Sequence, residues 1–472
     1  MTPMTPRIDE THDRSLRSWV ISANPGDPAD PGAPSVHADF PIQNLPLGIF
    51  KRRGMTDAPH AGIAIGDRIL DVAACRAAGL FTGRAAEAAG VCGGPALNAL
   101  AALGREYASA LRLQVSGLLR QDDARIRGQS GWETRLLPSM ADADLFLPAE
   151  IGDYTDFYAS IYHAANVGRL FRPDQPLLPN YKFLPIGYHG RASSIVVGGT
   201  PIRRPNGQTR ADDASLPVFG PSKVLDYEVE AGFLVGRGNR LGEPISILEA
   251  EEHLFGMCLL NDWSARDLQK WEYQPLGPFL AKSFATSLSP WVVTMEALEP
   301  YRVPAFPRPE GDPAPLPYLD QSAQADRVGL NAVFELHLLT QKMRAEGLAP
   351  FRISRANSRD LYWTPGQLLA HHTGNGCNLR PGDLLGSGTL SGPARENQGC
   401  LLERALGGKE PIDLPGGETR RFLSDGDEVI LKGYCEAEGF ARIGLGECRG
   451  LIQPALKTLP ALKTEIKPEP AE

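Results

Sequence analysis

Leu225-Asp226-Tyr227-Glu228-Val229-Glu230-Ala231-Gly232-Phe233-Leu234-Val235 is the stretch on which the reading of this chain turns. Leu225, Tyr227, Val229, Ala231, Phe233 and Val235 alternate with Asp226, Glu228, Glu230, Gly232 and Leu234. A period of two predicts a β-strand with Glu228 and Glu230 on one face. Two readings of that face are open. A half-exposed antiparallel strand turns such residues to solvent. Alternatively, two carboxylates this close repel unless a cation lies between them, and Mg²⁺ or Ca²⁺ takes oxygen ligands of this kind.

The rest of the chain sets that strand in a β-rich protein. Its 472 residues include Gly 50 and Pro 41, spread out as many short strands and tight turns require. With 42% hydrophobic and 22% charged residues it reads as globular, and its length as two or three domains or one large domain with an accessory one. The net charge of −8 argues against general nucleic-acid binding. No apolar run approaches the roughly 18 residues of a spanning helix, and the polar stretch Met1–Arg14 is unlike a signal peptide, so a cytoplasmic protein without membrane contact is expected. The 7 cysteines are widely spaced with no C-x-x-C, which predicts reduced, mostly buried thiols.

Residues 1–36 are expected to be extended or disordered, and the tail 459–472 likewise. Residues 37–147 read as a small barrel or meander with a helical extension, in which Leu97, Leu100, Leu103, Tyr107, Leu111, Val115 and Leu118 form one amphipathic stripe. Leu137–Ile151, with Pro138 and Pro148, is a linker into a larger unit, residues 148–458. Val303–Leu319, with six prolines, reads as a long surface loop. There is no Walker A loop, no G-x-S-x-G and no H-E-x-x-H, and the adjacent His371-His372 make a poor metal clamp because their side chains diverge.

Three further segments carry polar anomalies. The apolar run Leu254–Leu260 ends in Asn261-Asp262; a helix starting at Asp262 would put Arg266, Gln269 and Tyr273 on its face, while a capped helix with an Asp–Arg surface pair is the plainer alternative. Thr155–Phe171 reads as helical, with Asp156 and His163 on one face and Tyr158 and Arg172 nearby, the company a general base keeps; a structural histidine is the alternative. Lys282, in the apolar stretch Pro278–Thr286, is either a snorkelling surface cation or a buried ammonium that stabilises developing negative charge.

These segments resemble the fumarylacetoacetate hydrolase family. The marks are Ile151–Tyr158, His163–Gly168, Gly187–Ser194, Asn261–Asp267, Pro278–Thr286 and Asn378–Leu385, in order along roughly Phe40–Leu456. The resemblance implies a mainly β fold with some α, a small N-terminal SH3-like barrel followed by a larger C-terminal mixed β-sandwich roll, and a homodimer. It implies metal-dependent hydrolysis of a carbon–carbon bond in 4-fumarylacetoacetate, a diketo dicarboxylate, to fumarate and acetoacetate, the last step of tyrosine and phenylalanine catabolism. The cofactor implied is Mg²⁺ and/or Ca²⁺. Asp156, Glu228, Glu230 and Asp262 match the metal ligands, with Lys282 and Thr286 close to the ion. His163 matches the catalytic base and Glu403 its acidic partner. Arg266, Gln269 and Lys282 match groups that stabilise reacting oxygens, and Tyr158, Arg172, Tyr188, Gln269, Tyr273 and Thr389 match substrate contacts. The N-terminal extension, the loop Arg172–Pro176, and Ala281 and Ala285 in place of common glycines depart from the pattern. An acylpyruvate or related diketo-acid hydrolase of the same superfamily, and a catalytically silent metal-binding scaffold, are the competing readings.

Overall fold

The computed structural model describes residues 8–26 and 38–457. The expectations for residues 1–7, 27–36 and 459–472 lie outside the described residues. Within the described part of the N-terminal segment, Glu10–His12 forms a short turn and buried His12 bonds through Nε2 to the Glu296 carbonyl at 2.8 Å. Ser18 bridges to Arg120, so this stretch is packed against the body.

The molecule is sheet-rich with short helices, and its two units share one 12-stranded sheet. Along that sheet the order is Arg68–Asp71, His60–Ile65, Leu47–Arg52, Trp291–Thr294, Leu254–Asp262, Val229–Val235, Leu384–Gly386, Tyr154–Phe157 and Gly187–Gly190. Leu47↔Val292 and Gly48↔Trp291 join the N-terminal strands to the larger unit. A second sheet of 5 strands runs Phe351–Asn357, Ala332–Leu339, Glu428–Cys435, Ile443–Gln453, Ile202–Arg203. One core of buried residues includes Phe233, Trp263, Phe334, Trp363 and Leu431, drawn from both sheets and the segments joining them. A second core packs the N-terminal strands against helices. Burial of such side chains, at about 25 cal/mol per Å² of apolar surface, drives the assembly.

Sequence periodicity and structure diverge at Gly104. The stripe Leu97–Leu118 forms two helices, Asn98–Leu103 and Arg105–Leu119, because Gly104 takes φ 101° and breaks the first. A side chain there would be strained, so glycine sets the break. The proline-rich stretch 304–316 has no regular structure, as expected, yet it is pinned: Lys182 pairs with Asp312, and Arg308 donates to the Tyr362 hydroxyl at 2.8 Å.

Candidate active site

Three strands of the large sheet and the short gap before one of them deliver four carboxylates to one buried point. Glu230 lies on Val229–Val235 opposite Leu260, Asp156 on Tyr154–Phe157 opposite Gly386, and Asp262 ends Leu254–Asp262 opposite Thr286. Glu228 sits in the short gap after Leu225–Asp226. Ligand oxygens of Asp156, Glu228, Glu230 and Asp262 lie within 4.8 Å of one another. Glu230 is 0% and Glu228 5% exposed, so the solvent-facing reading of this strand is wrong: Asp156 and Gly386 crowd Glu230, and Lys282 and Arg266 pair with Glu228.

Asp156 Oδ1 and both Glu230 oxygens are buried with no hydrogen-bond partner. Burial, reinforced for Asp156 by Asp262 and for Glu230 by Asp156 and Asp262, pushes both carboxyls far above the usual range. A Cβ on Gly386 would stand 2.7 Å from Asp156 Oδ1 and 3.0 Å from Glu230 Oε2, so glycine leaves these oxygens their space. Orphaned carboxylate oxygens converging in a buried pocket fit a hard divalent cation, which supplies the missing charge.

Two cations border the cluster. Lys282 donates to Glu228 Oε2 at 2.5 Å and to Asp262 Oδ2 at 2.6 Å, and is 8% exposed, so it is a buried ammonium and not a snorkelling one. Burial alone would lower its pKa, but Asp262 and Glu228 outweigh it and hold the amine charged. Arg266 pairs through Nη1 with Glu228 Oε1 at 2.7 Å and through Nε with Asp226 Oδ2 at 2.9 Å, leaving Nη2 buried and unpartnered. Burial raises the Glu228 pKa, yet Lys282 and then Arg266 more than offset it and keep Glu228 ionised. Thr286 Oγ1 reaches Asp262 Oδ1 at 3.3 Å, and the Tyr188 hydroxyl donates to Asp262 Oδ2 at 3.1 Å.

Next to the cluster lies a histidine–glutamate pair. His163 is 4% and Glu403 1% exposed, with Nδ1 and Oε2 2.6 Å apart. Asn166 donates to Glu403 Oε1 at 2.8 Å, and Ser391 and the Cys400 thiol donate to Oε2 at 2.8 and 3.2 Å. Burial raises the Glu403 pKa, but the nearby His163 and the bonds from His163, Asn166 and Ser391 outweigh it, holding the carboxyl below its ordinary value. With Nδ1 committed to Glu403, Nε2 is the nitrogen free to accept a proton. His163 is also near enough for its charge to act on Glu228. The Tyr158 ring meets the imidazole edge-on, with centroids 5.2 Å apart.

Local structure differs from the periodicity reading at two of these residues. Asp156 is on a strand and His163 on the helix Ile161–Phe171, so they share no helical face; Tyr154–Phe157 pairs with strands on both sides, and Ser160 caps the helix by accepting from the His163 amide. Asp262 ends a strand, and the helix starts at Arg266 instead. Arg266 consequently points inward to Asp226 and Glu228, and its Nη1 donates to Gln269 Oε1 at 3.1 Å. Thr389 is buried with an unpartnered hydroxyl, and half-buried Arg172 has an unpartnered Nε while its Nη2 donates to the Pro176 carbonyl. Tyr273 lies at the surface, 37% exposed. His371 and His372 line a cavity of about 1030 Å³ whose wall also includes Thr155 and Tyr188. Asn166, Ser391, Cys400 and Asp226 were not singled out by sequence reasoning. Asn166 had a signal, three residues after His163 on the same helix, and Asp226 another, the same alternating face as Glu228 and Glu230; Ser391 and Cys400 had none.

Two family models match, "Fumarylacetoacetate (FAA) hydrolase C-terminal" over residues 154–453 and "Fumarylacetoacetase N-terminal" over residues 43–148. The chain is 51% identical over 422 residues to the Fumarylacetoacetase of Homo sapiens, covering 89% of this chain and 97% of that one. It is 50% identical over 422 residues to the Fumarylacetoacetase of Bos taurus, with 89% and 97% covered.

Proposed function

The chain belongs to the fumarylacetoacetase family, and from that premise we propose that it hydrolyses the carbon–carbon bond of 4-fumarylacetoacetate to fumarate and acetoacetate. The observation that carries the reading is the placing of the His163–Glu403 pair beside four buried carboxylates with orphaned oxygens. A metal-stabilised scaffold needs the carboxylates but has no use for a buried base beside them.

Asp156, Glu228, Glu230 and Asp262 would hold a divalent ion, Mg²⁺ or Ca²⁺, with Lys282 and Thr286 against its ligands. Bound there, the ion supplies Lewis-acid polarisation of the diketone oxygens. His163 Nε2 takes a proton from water as the oxygen adds to the substrate carbonyl, and Glu403 fixes the tautomer and carries the partner charge of the imidazolium. The tetrahedral adduct collapses by breaking the bond to the acetoacetate carbon, whose enolate then takes up a proton. Arg266 Nη2, free of protein partners, and the third hydrogen of Lys282 are donors for the oxygens that gain charge, with Gln269 orienting the guanidinium. Tyr158, Tyr188, Thr389, Arg172 and Tyr273 would contact substrate, with the Arg172 guanidinium donating to a carboxylate of the substrate. The same proposal takes in an SH3-like N-terminal barrel, a β-sandwich roll, a homodimer and a cytoplasmic location.

The test is loss of the substrate's absorbance on adding purified protein, with products identified. Fumarate and acetoacetate in equal amounts support the reading. A folded, metal-loaded protein that leaves this substrate intact but cleaves an acylpyruvate would refute it in favour of the neighbouring diketo-acid activity, and cleavage of neither would point to the scaffold.

A further inference from the structure

Asp226 is completely buried, at 0% exposure, and so cannot touch substrate. Its carboxylate is nonetheless saturated with donors. Oδ1 accepts from the Tyr227 and Leu401 amides, each at 2.8 Å, and Oδ2 accepts from the Leu402 amide and from Arg266 Nε, each at 2.9 Å. Leu401 and Leu402 open the short helix Leu401–Arg404 that carries Glu403. Arg266 opens the helix Arg266–Glu272 on the other side of the site. The strand pairing Leu225↔Ala265 and Asp226↔Ser264 brings the start of the Arg266 helix to Asp226, two positions before Glu228, and the Leu401 and Leu402 amides bring the other helix to the same carboxylate.

We propose that Asp226 is a positioning residue that locks the two halves of the reaction centre together, the Glu403 helix that orients the base and the Arg266 guanidinium that meets the developing oxyanion. The inference rests on the reading of His163, Glu403 and Arg266 given above. Its physical ground is geometric. Holding Arg266 by Nε and Nη1 leaves Nη2 as the one aimed donor, and holding Leu401 and Leu402 fixes where Glu403 departs from the backbone. Displacement of about 1 Å at such a constellation can lower turnover on the order of a hundredfold. A neutral amide cannot substitute, because all four contacts at this carboxylate come from N–H donors, and the amide NH₂ would face at least one of them.

The experiment compares Asp226→Asn with the wild-type holoenzyme in four readouts: divalent-ion affinity by calorimetry, amide exchange at Leu401 and Leu402, kcat and KM, and the same substitution in an Arg266→Ala background. The expected result is ion affinity within about threefold, exchange at Leu401 and Leu402 faster by at least about tenfold, kcat down about a hundredfold with KM little changed, and a clearly smaller effect once Arg266 is absent. Unchanged kcat in a folded Asp226→Asn protein, or a loss that is fully additive with Arg266→Ala, would overturn the proposal. Should Asp226→Asn not fold, Asp226→Glu keeps the charge but displaces it by one methylene; a wild-type kcat for that variant would also overturn it. Exchange at Leu401 and Leu402 does not depend on the substrate, so failure of the anchor is distinguishable from failure of the proposed reaction.

Discussion

Replacing Gly386 by alanine probes the carboxylate site without removing any of its ligands. The new Cβ would lie 2.7 Å from Asp156 Oδ1, 3.0 Å from Glu230 Oε2 and 3.2 Å from Tyr154 Cε2. Ordinary contact begins near 3.4 Å, so the Asp156 oxygen has to retreat by about 0.7 Å and the Glu230 oxygen by about 0.4 Å. Ligand distances at a metal site are tolerant to about 0.2 Å. Affinity for Mg²⁺ or Ca²⁺ should therefore fall by about 10- to 100-fold, equivalent to about 1.4–2.7 kcal/mol. Overpacking should also cost about 1–3 kcal/mol of stability. Gly232→Ala separates the two effects, because the nearest atoms to its Cβ would be side-chain carbons of Leu288, Leu384 and Leu260, at 3.2–3.3 Å, within the same sheet. Calorimetric titration of chelator-treated protein reads affinity and a thermal scan reads stability. Gly232→Ala should lose stability and keep affinity, whereas Gly386→Ala should lose both. Wild-type affinity in Gly386→Ala, or an equal loss in Gly232→Ala, would refute the placing of the ion against Asp156 and Glu230.

His163→Ala should lower turnover by at least about a hundredfold while ion affinity stays near wild type, since its ring is not among the four carboxylates; steady-state rates and titration of the same sample check this. The Glu403 carboxyl, held below its ordinary value of 4.5, contributes stability that is fully present above that pH and is lost as pH falls through its lower folded value. The gap in melting temperature between wild type and Glu403→Gln should thus narrow as pH falls below about 4; a gap that widens in acid would contradict the assignment of Glu403 as an ionised, hydrogen-bonded carboxylate. Six of the seven cysteines are buried, and burial pushes Cys75, Cys92 and Cys448 up to about 12, so a thiol reagent should titrate one group in the folded protein, half-exposed Cys377, and seven after unfolding. Cys377→Ser should abolish the native reaction.

Much of the site was legible because its chemistry is written in residue type. Glu228 and Glu230 declared themselves by alternation, and Lys282 by standing in an apolar stretch. What alternation could not supply was burial: the strand Val229–Val235 lies inside the sheet between Leu254–Asp262 and Leu384–Gly386, two partners from later in the chain, and their choice is a tertiary event. Helical spacing misled at Asp156 and Asp262 for a related reason. Both residues are held in extended backbone by sheet partners, Gly386 and Tyr188 for the first and Thr286 for the second, and those contacts override local periodicity. Glu403, 240 positions from His163, carried no local signal and was reached through family likeness, as contacts between distant segments generally are. The break at Gly104 was readable in principle, since a glycine within a helical pattern invites it.

The most direct test of the account is to strip the protein with chelator and then return divalent ion in fractions of an equivalent while following hydrolysis of fumarylacetoacetate. Turnover should be absent at the start, rise in proportion to added Mg²⁺ or Ca²⁺, and level off at one ion per chain. Full activity in the stripped protein, or no activity at saturating ion in a protein that remains folded, would contradict it.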